Sequence, residues 1–172
     1  MLLSARRRRM AFILLLVAGA MAASVAGGPH PPRLIWNATA SAPIGLYLVR
    51  QAHTLFPGEL VLARLPAAIA RLAARRGYLP LGLPVVKRIV GLSGDRICAQ
   101  GNTLWRNGHF LARRLFADSR KRLLPRWQGC HRLNRGEVFL LMAHKRHSFD
   151  SRYFGPVRRS AVIGRLVPLW LR

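Results

Sequence analysis

The chain has 172 residues, enough for one compact domain with its own core. It carries 29 Lys and Arg against only five Asp and Glu, a formal net charge of +24. So few acids give little support for paired-carboxylate hydrolysis or a carboxylate-bound metal ion, whereas the excess of basic residues suggests contact with nucleic acid or anionic lipid. Because the basic residues are dispersed, with one tight run at Arg6–Arg9, a solvated basic surface explains the charge equally well.

The N-terminus has the pattern of a membrane-targeting segment. Residues 1–9 form a basic region, and residues 10–28 (MAFILLLVAGAMAASVAGG) contain no charged side chain. The stretch is close to the length of about 20 residues that a spanning helix needs. We predict an uncleaved transmembrane anchor, with a cleaved signal segment as the alternative, and a stiff linker at residues 29–34. In both cases the positive-inside rule exports the rest of the chain.

Export changes the interpretation of the two cysteines. Cys98 and Cys130 would lie in an oxidising compartment, so we expect a disulfide between them, with two free thiols as the alternative. Neither CxxC nor HxxxH spacing occurs, so no zinc site is expected.

Beyond the linker, short apolar stretches bounded by turn residues predict a mostly β fold, a coiled sheet or small barrel. The predicted strands lie in IGLYLVR (44–50), FPGELVLARL (56–65), PVVKRIVG (84–91), the hairpin TLWRNGHFLA (103–112), RGEVFLLMA (135–143) and SAVIGRLVPLW (160–170). Asn107-Gly108 is a strong signal for a two-residue hairpin turn. One segment, PAAIARLAARRG (66–77), instead predicts a short amphipathic helix inserted between two strands.

One candidate nucleophile lies in NATASAPIGLYLV (37–49). Ser41 follows small residues and precedes Pro43 and Gly45, so its backbone is expected in a turn just before a strand. A hydroxyl in that position can be exposed at the edge of a sheet. On this stretch alone, an ordinary turn serine is the simpler interpretation.

A candidate base lies in PVVKRIVG. Lys87 and Arg88 point to opposite faces of the predicted strand, so whichever face is buried carries a cation. If Lys87 is buried, loss of hydration lowers its pKa. A decrease from about 10.4 to 7–8 corresponds to about 3–4 kcal/mol and leaves a neutral amine that can accept a proton from serine. Arg88 cannot do this, since a guanidinium stays protonated. A lysine whose amine reaches back to water is the alternative.

Three segments together resemble the motifs of type I signal peptidases, a membrane-anchored family with a Ser-Lys dyad. SAPIGLY (41–47) resembles the nucleophile motif, VVKRIVGLSGD (85–95) the general-base motif and SFDSRYFGPV (148–157) the C-terminal motif, in the family's order. The short Ser-x-Pro-x-Gly-x-Tyr form of the first motif is most similar to the TraF-type peptidases of conjugative transfer systems. The resemblance extends over most of residues 35–168.

This resemblance implies roles in the first two motifs. Ser41 would attack the scissile carbonyl, and Lys87 would accept its proton. Thr39, two residues before the nucleophile, matches a position where the family has a hydroxyl that helps to bind the oxyanion. The Ser41 backbone N–H would be the second oxyanion donor.

The resemblance also assigns the C-terminal motif. Ser148 matches a serine that orients the base, and Asp150 and Arg152 match an ion pair that holds this segment under the site. The chain departs from the family just before it, where MAHKRH (142–147) replaces a lead-in rich in acids and amides. His144 and His147 in that stretch are expected to be exposed, with a histidine-based triad as the alternative.

The leading hypothesis is a membrane-associated serine endopeptidase, with residues 35–172 as a catalytic domain on the periplasmic side of a bacterial inner membrane. Its partners would be exported precursors with small residues before the cleavage site, a conjugative pilin precursor above all, and a conjugation apparatus. No cofactor or metal is implied. The alternative is a non-catalytic basic scaffold that binds DNA or anionic lipid. That alternative explains the charge but not the three motifs, so nucleic acid is not the expected partner.

Overall fold

The computed structural model describes residues 32–172. The predicted basic region 1–9, the anchor 10–28 and the first part of the 29–34 linker lie outside the described residues, so they stay predictions. Among the helices of residues 32–172, none combines the length and the hydropathy that a bilayer span requires.

Strands dominate the described part of the chain, as the sequence predicted. The strands are β1 (Leu34–Asn37), β2 (Gly45–Arg50), β3 (Leu60–Ala63), β4 (Val85–Gly91), β5 (Arg96–Gln100), β6 (Thr103–Arg106), β7 (His109–Arg113), β8 (Gly129–Arg132), β9 (Glu137–Leu141), β10 (Val157–Arg158) and β11 (Val162–Leu171). The helical elements are α1 (Ala67–Arg75), the single turn α2 (Ser151–Phe154) and a 3₁₀ turn (Arg159–Ala161). The mostly β fold class is therefore confirmed, and the short α2 is an addition to the one helix that the sequence predicted.

The strands form two antiparallel sheets. The larger sheet has the order β1-β2-β11-β3-β4-β9-β10, and the smaller has the order β7-β6-β5-β8. The larger sheet is open, because β1 and β10 are edge strands, and it is therefore not a closed barrel. The prediction did not separate the smaller sheet from the larger one, because β5 and β8 lack a clear sequence signal.

The two clearest local signals are confirmed. Asn107 and Gly108 join β6 to β7 with φ values of 52° and 84°, so both turn residues have the left-handed conformation that suits a tight hairpin. Helix α1 begins directly after Pro66, whose fixed φ favours the start of a helix, and it buries Ala73 completely. In both cases the decisive residues are neighbours in the sequence.

A cluster of buried apolar side chains lies beneath the turn between β1 and β2. Its members come from that turn, from β2, β3, β4 and β11, and from the residue after β9: Ala42, Tyr47, Leu62, Val86, Met142 and Leu166. Burial of this kind contributes about 25 cal/mol for each Å² of apolar surface removed from water. The cluster therefore fixes the β1–β2 turn relative to β4, although the two are far apart in the chain.

Strand β11 is the physical link between β2 and β3. It pairs with β2 through residues 165–171 and with β3 through residues 162–165. Gly164 lies next to Arg165, the residue at which these pairings overlap, and a Cβ at Gly164 would lie 2.6 Å from the Arg50 carbonyl oxygen and 2.8 Å from Val49 Cγ1. Only glycine allows the backbones of β2 and β11 to approach so closely.

We expect Gly164→Ala to destabilise the fold by about 1–3 kcal/mol, because the methyl group collides with a backbone carbonyl that cannot move away freely. The matched control is Gly136→Ala, where a Cβ would meet only Asn134 Oδ1, at 3.3 Å. Urea unfolding of the two variants measures the difference. Equal stability of the two variants would contradict this account of β11.

Candidate active site

Three segments that are distant in the chain bring Ser41, Lys87 and Ser148 together. Ser41 lies in the turn between β1 and β2, Lys87 in the middle of β4, and Ser148 just before α2. Strand β4 is held on one side by β3, where Val61 is opposite Lys87, and on the other side by β9. The lysine therefore projects from the interior of the sheet, whereas both serines lie on loops that pack against it.

The polar side chains of the site form a continuous line of contacts. Lys87 Nζ lies 3.5 Å from Ser41 Oγ and 2.9 Å from Ser148 Oγ. Thr39 Oγ1 lies 3.2 Å from Ser41 Oγ on the solvent side. The geometry thus brings together four of the residues that the sequence singled out, in the order Thr39, Ser41, Lys87 and Ser148.

Lys87 is the buried cation that the strand pattern required, since only 4% of it is exposed while Arg88 on the other face is exposed. Desolvation lowers the pKa of Lys87 from 10.5 to about 8. The Asp150 carboxylate acts in the opposite direction and raises this pKa, whereas Arg152 lowers it. This pKa agrees with the value of about 7–8 expected from the sequence for a buried lysine. A substantial fraction of Lys87 side chains therefore carries a neutral amine near pH 8.

Asp150 and Arg152 form a buried, bidentate ion pair, with exposures of 0% and 1%. Arg152 Nε donates to Asp150 Oδ1 at 2.7 Å, and Arg152 Nη2 donates to Asp150 Oδ2 at 3.0 Å. Both side chains of the pair also form hydrogen bonds with the backbone of Met142. Asp150 Oδ2 accepts from the Met142 N–H at 3.1 Å, and Arg152 Nη2 donates to the Met142 carbonyl at 2.8 Å. The pair therefore fastens the segment with Ser148 to the end of β9.

Ser41, Lys87 and Ser148 line a cavity of about 670 Å³. Most of its wall is apolar and comes from β1, β4, the region of α1, the β7–β8 connection and the loop before α2, including Ile35, Ala73, Leu79, Val86, Leu115 and Phe149. The inserted helix that the sequence predicted is thus also a wall of the site. An apolar lining around a single amine favours the neutral form of that amine and can accept uncharged side chains of a ligand.

A second polar cluster, which the sequence analysis did not single out, holds this wall together. The Asp118 carboxylate accepts hydrogen bonds from the Tyr78 hydroxyl and, at 2.7 Å, from Arg122 Nε. Although desolvation acts to raise the pKa of Asp118, these hydrogen bonds hold it well below its usual range. Arg122 also donates to the Arg76 carbonyl at 3.2 Å. The β7–β8 connection is therefore tied to the end of α1 by partners about 40 residues apart, which no local pattern reveals.

The remaining predicted residues lie outside this line of contacts. His144 and His147 are exposed, and within residues 32–172 no hydrogen bond joins either of them to Ser41. Cys98 and Cys130 are joined by a disulfide between β5 and β8 in the smaller sheet. Among the described residues, no three His, Cys, Asp or Glu side chains are grouped closely enough to hold a metal ion.

Comparison with known proteins identifies the family. A family model described as "Signal peptidase, peptidase S26" matches residues 6–170 of the chain. The chain belongs to the signal peptidase family. Two plasmid transfer proteins TraF from Escherichia coli are similar to it: one is 29% identical over 155 residues, covering 85% of this chain and 87% of that protein, and the other is 30% identical over 162 residues, covering 89% and 92%.

Among solved structures, a signal peptidase I from Enterococcus faecalis V583 aligns with 66% of this chain and 97% of that one, at 23% identity and a TM-score of 0.40. The family model and the two TraF proteins confirm the resemblance to signal peptidases, and to TraF-type proteins among them, at the level of the sequence.

In this member of the signal peptidase family, we expect Asp150→Asn to destabilise the fold by about 3–5 kcal/mol, because the buried Arg152 charge loses its counter-ion. The control is Glu59→Gln, which removes the partly exposed ion pair between Glu59 and Arg165, 3.0 Å long, and should cost about 0–1 kcal/mol. Urea unfolding at pH 7 compares the two. A loss below 1 kcal/mol for Asp150→Asn would show that the pair does not hold the segment.

Proposed function

We propose that the chain is a serine endopeptidase that removes leader or propeptide segments from exported proteins by Ser-Lys chemistry. The observation that carries the proposal is the contact between the buried Lys87 amine, whose pKa is lowered to about 8, and the Ser41 hydroxyl 3.5 Å away in the wall of a cavity. Membership of the signal peptidase family supports the same chemistry.

In the proposed first step, neutral Lys87 takes the Ser41 proton while Ser41 Oγ attacks the scissile carbonyl carbon. A separation of 3.5 Å is long for a hydrogen bond, and such contacts commonly shorten when substrate is bound. The hydrogen bond from Lys87 Nζ to Ser148 Oγ, at 2.9 Å, fixes the amine from the other side, so the lysine is already oriented toward Ser41 before substrate binds. The proton on Lys87 then passes to the leaving amine, and water releases the acyl group with Lys87 again as the base.

The oxyanion that forms in both steps needs hydrogen-bond donors close to Ser41. The Thr39 hydroxyl is 3.2 Å from Ser41 Oγ, within reach of an oxygen on the carbon that Ser41 attacks. In this proposal, the Ser41 backbone N–H is the second hydrogen-bond donor to the oxyanion. Removing one donor of this kind typically costs about 100- to 1,000-fold in rate.

For the substrate, we propose an exported precursor with small residues before the cleavage site, in particular a pilin precursor of a conjugation apparatus. The support is the similarity to two plasmid transfer proteins over most of the chain. In this proposal residues 10–28 anchor the enzyme in the inner membrane, and residues 35–172 face the periplasm. Processing of a co-expressed pilin precursor, compared with an unrelated exported protein, tests the substrate.

The alternative of a basic scaffold is favoured by one observation. All five acids are paired with basic side chains in the described structure, in the pairs Glu59–Arg165, Asp95–Arg106, Asp118–Arg122, Glu137–His131 and Asp150–Arg152. The other basic side chains therefore leave a large positive surplus. DNA binding with a steep salt dependence, together with no cleavage of any precursor, would favour the scaffold.

We expect Ser41→Ala and Lys87→Met each to lower precursor cleavage by at least about 1,000-fold, because each removes one member of a unit that acts together. The controls are Ser93→Ala, an exposed turn serine, and Arg88→Met, which removes the neighbouring cation on the opposite face of β4. Gel assays measure cleavage, and circular dichroism checks that each variant is folded. Wild-type cleavage by either dyad variant would disprove the proposed chemistry.

The pH dependence of kcat/KM should follow the protonation of Lys87. The base must be neutral, so kcat/KM should rise about tenfold per pH unit below the pKa of about 8 and level off above it. Assays of a precursor peptide between pH 5.5 and 9.5 test this. A pH profile whose rise disappears in His147→Gln would instead identify that histidine as the base.

A further inference from the structure

We propose that Asn37 is a positioning residue of this site, which holds the Thr39 hydroxyl and the turn that carries Ser41 in their resting arrangement. The inference rests on the proposed function, because its consequence is a slower acyl transfer when Asn37 is replaced. It concerns a residue that contacts neither Lys87 nor Ser41 through its side chain and acts through Thr39.

Asn37 is the last residue of β1, where it pairs with Gly45 of β2. Only 5% of it is exposed, although it lies four residues before the half-exposed Ser41. A polar side chain buried at the end of a strand requires hydrogen-bond partners. Asn37 finds all of them in the turn that follows it.

The amide nitrogen of Asn37 binds the carbonyl groups of the turn. Nδ2 donates to the carbonyl oxygens of Thr39 at 3.0 Å, Ala42 at 3.2 Å and Pro43 at 2.9 Å. Two hydrogens serve three acceptors, so one hydrogen is shared. The reverse orientation of the amide would place Oδ1 against three carbonyl oxygens, which fixes the assignment of the two atoms.

The amide oxygen of Asn37 binds Thr39. Oδ1 accepts from the Thr39 backbone N–H at 3.2 Å and lies 2.8 Å from Thr39 Oγ1. An amide oxygen can only accept, so the Thr39 hydroxyl donates its single proton to Asn37. In the 3.2 Å contact between Thr39 Oγ1 and Ser41 Oγ, the donor must then be Ser41.

This arrangement directs both protons away from the positions that catalysis needs. The Ser41 proton points to Thr39 rather than to Lys87, and the Thr39 proton points to Asn37 rather than to an oxyanion. In the reaction the Ser41 proton moves to Lys87 Nζ, and the Thr39 hydroxyl rotates toward the new oxyanion. The bond from the Thr39 backbone N–H to Asn37 Oδ1 remains, so the turn keeps its shape while the hydroxyl rotates.

The first test is Asn37→Ala, assayed with a precursor peptide in the full chain. We expect kcat to fall about 10- to 100-fold, with KM within about threefold of wild type. Without the bonds from Asn37 to the Thr39 N–H and to the carbonyl groups, the Thr39 hydroxyl and the Ser41 turn shift, and this displacement outweighs the release of the Thr39 proton. The matched control is Tyr47→Phe, which removes the 2.7 Å hydrogen bond from the Tyr47 hydroxyl to the Pro43 carbonyl, an acceptor that Asn37 also uses. Because Tyr47 has no hydrogen bond to Thr39, kcat of this control should stay within about threefold of wild type.

The second test is a double-mutant cycle with Thr39→Val, which removes the hydroxyl and keeps the side-chain shape. If Asn37 acts through Thr39, the rate loss of the double variant is smaller than the product of the two single losses by at least about threefold. A double variant that reaches the full product would overturn the proposal, because Asn37 would then act independently of Thr39.

Two further results separate this inference from the proposed function. If Ser41→Ala keeps its activity, the proposed function and this inference both fail. If Ser41→Ala is inactive but Asn37→Ala has the kcat of wild type, only the inference fails. Should Asn37→Ala not fold, Asn37→Leu keeps about the same side-chain volume and removes every side-chain hydrogen bond of Asn37, so an unchanged kcat in folded Asn37→Leu would overturn the inference as well.

Discussion

The site depends on one constraint, the removal of the Lys87 amine from water. A lysine in a sheet interior is costly when charged, and this cost is what lowers its pKa to about 8. The paired strands on both sides of β4 exclude water, and Ser148 Oγ accepts the shorter of the amine's two hydrogen bonds, at 2.9 Å. The nearby Asp150 and Arg152 have opposite effects on the lysine, so the ion pair fixes the geometry of the site while leaving much of the desolvation effect in place.

The same structure shows how a small domain can fix hydroxyl groups that lie on loops. The Ser148 segment is fixed by buried bonds from Asp150 and Arg152 to the backbone of Met142. The Ser41 turn packs on buried apolar side chains, and three of its carbonyl oxygens accept hydrogen bonds from Asn37 Nδ2. Both segments are therefore positioned by hydrogen bonds to backbone groups, which do not depend on the identity of the neighbouring side chains.

Sequence reasoning succeeded where the signal is local. The Asn107-Gly108 hairpin and helix α1 were predictable because turn and helix conformations are set mainly by residues next to each other. Strands β1, β5 and β8 were missed, because LIWN, RICAQ and GCHR are short and become strands only by pairing with neighbours. The open form of the larger sheet was equally hidden, since strand order depends on pairings between distant segments.

The sequence by itself determined that a cation lies on each face of β4, that few acids are available for chemistry, and that three motifs occur in the order of the signal peptidase family. These properties follow from residue type, alternation and chain order, which need no coordinates. Only the tertiary structure decided that Lys87 rather than Arg88 is buried, that Ser41 and Ser148 contact the same amine, and that Asn37 binds Thr39. The physical reason is that desolvation and hydrogen bonding depend on which distant segments the folded chain packs together.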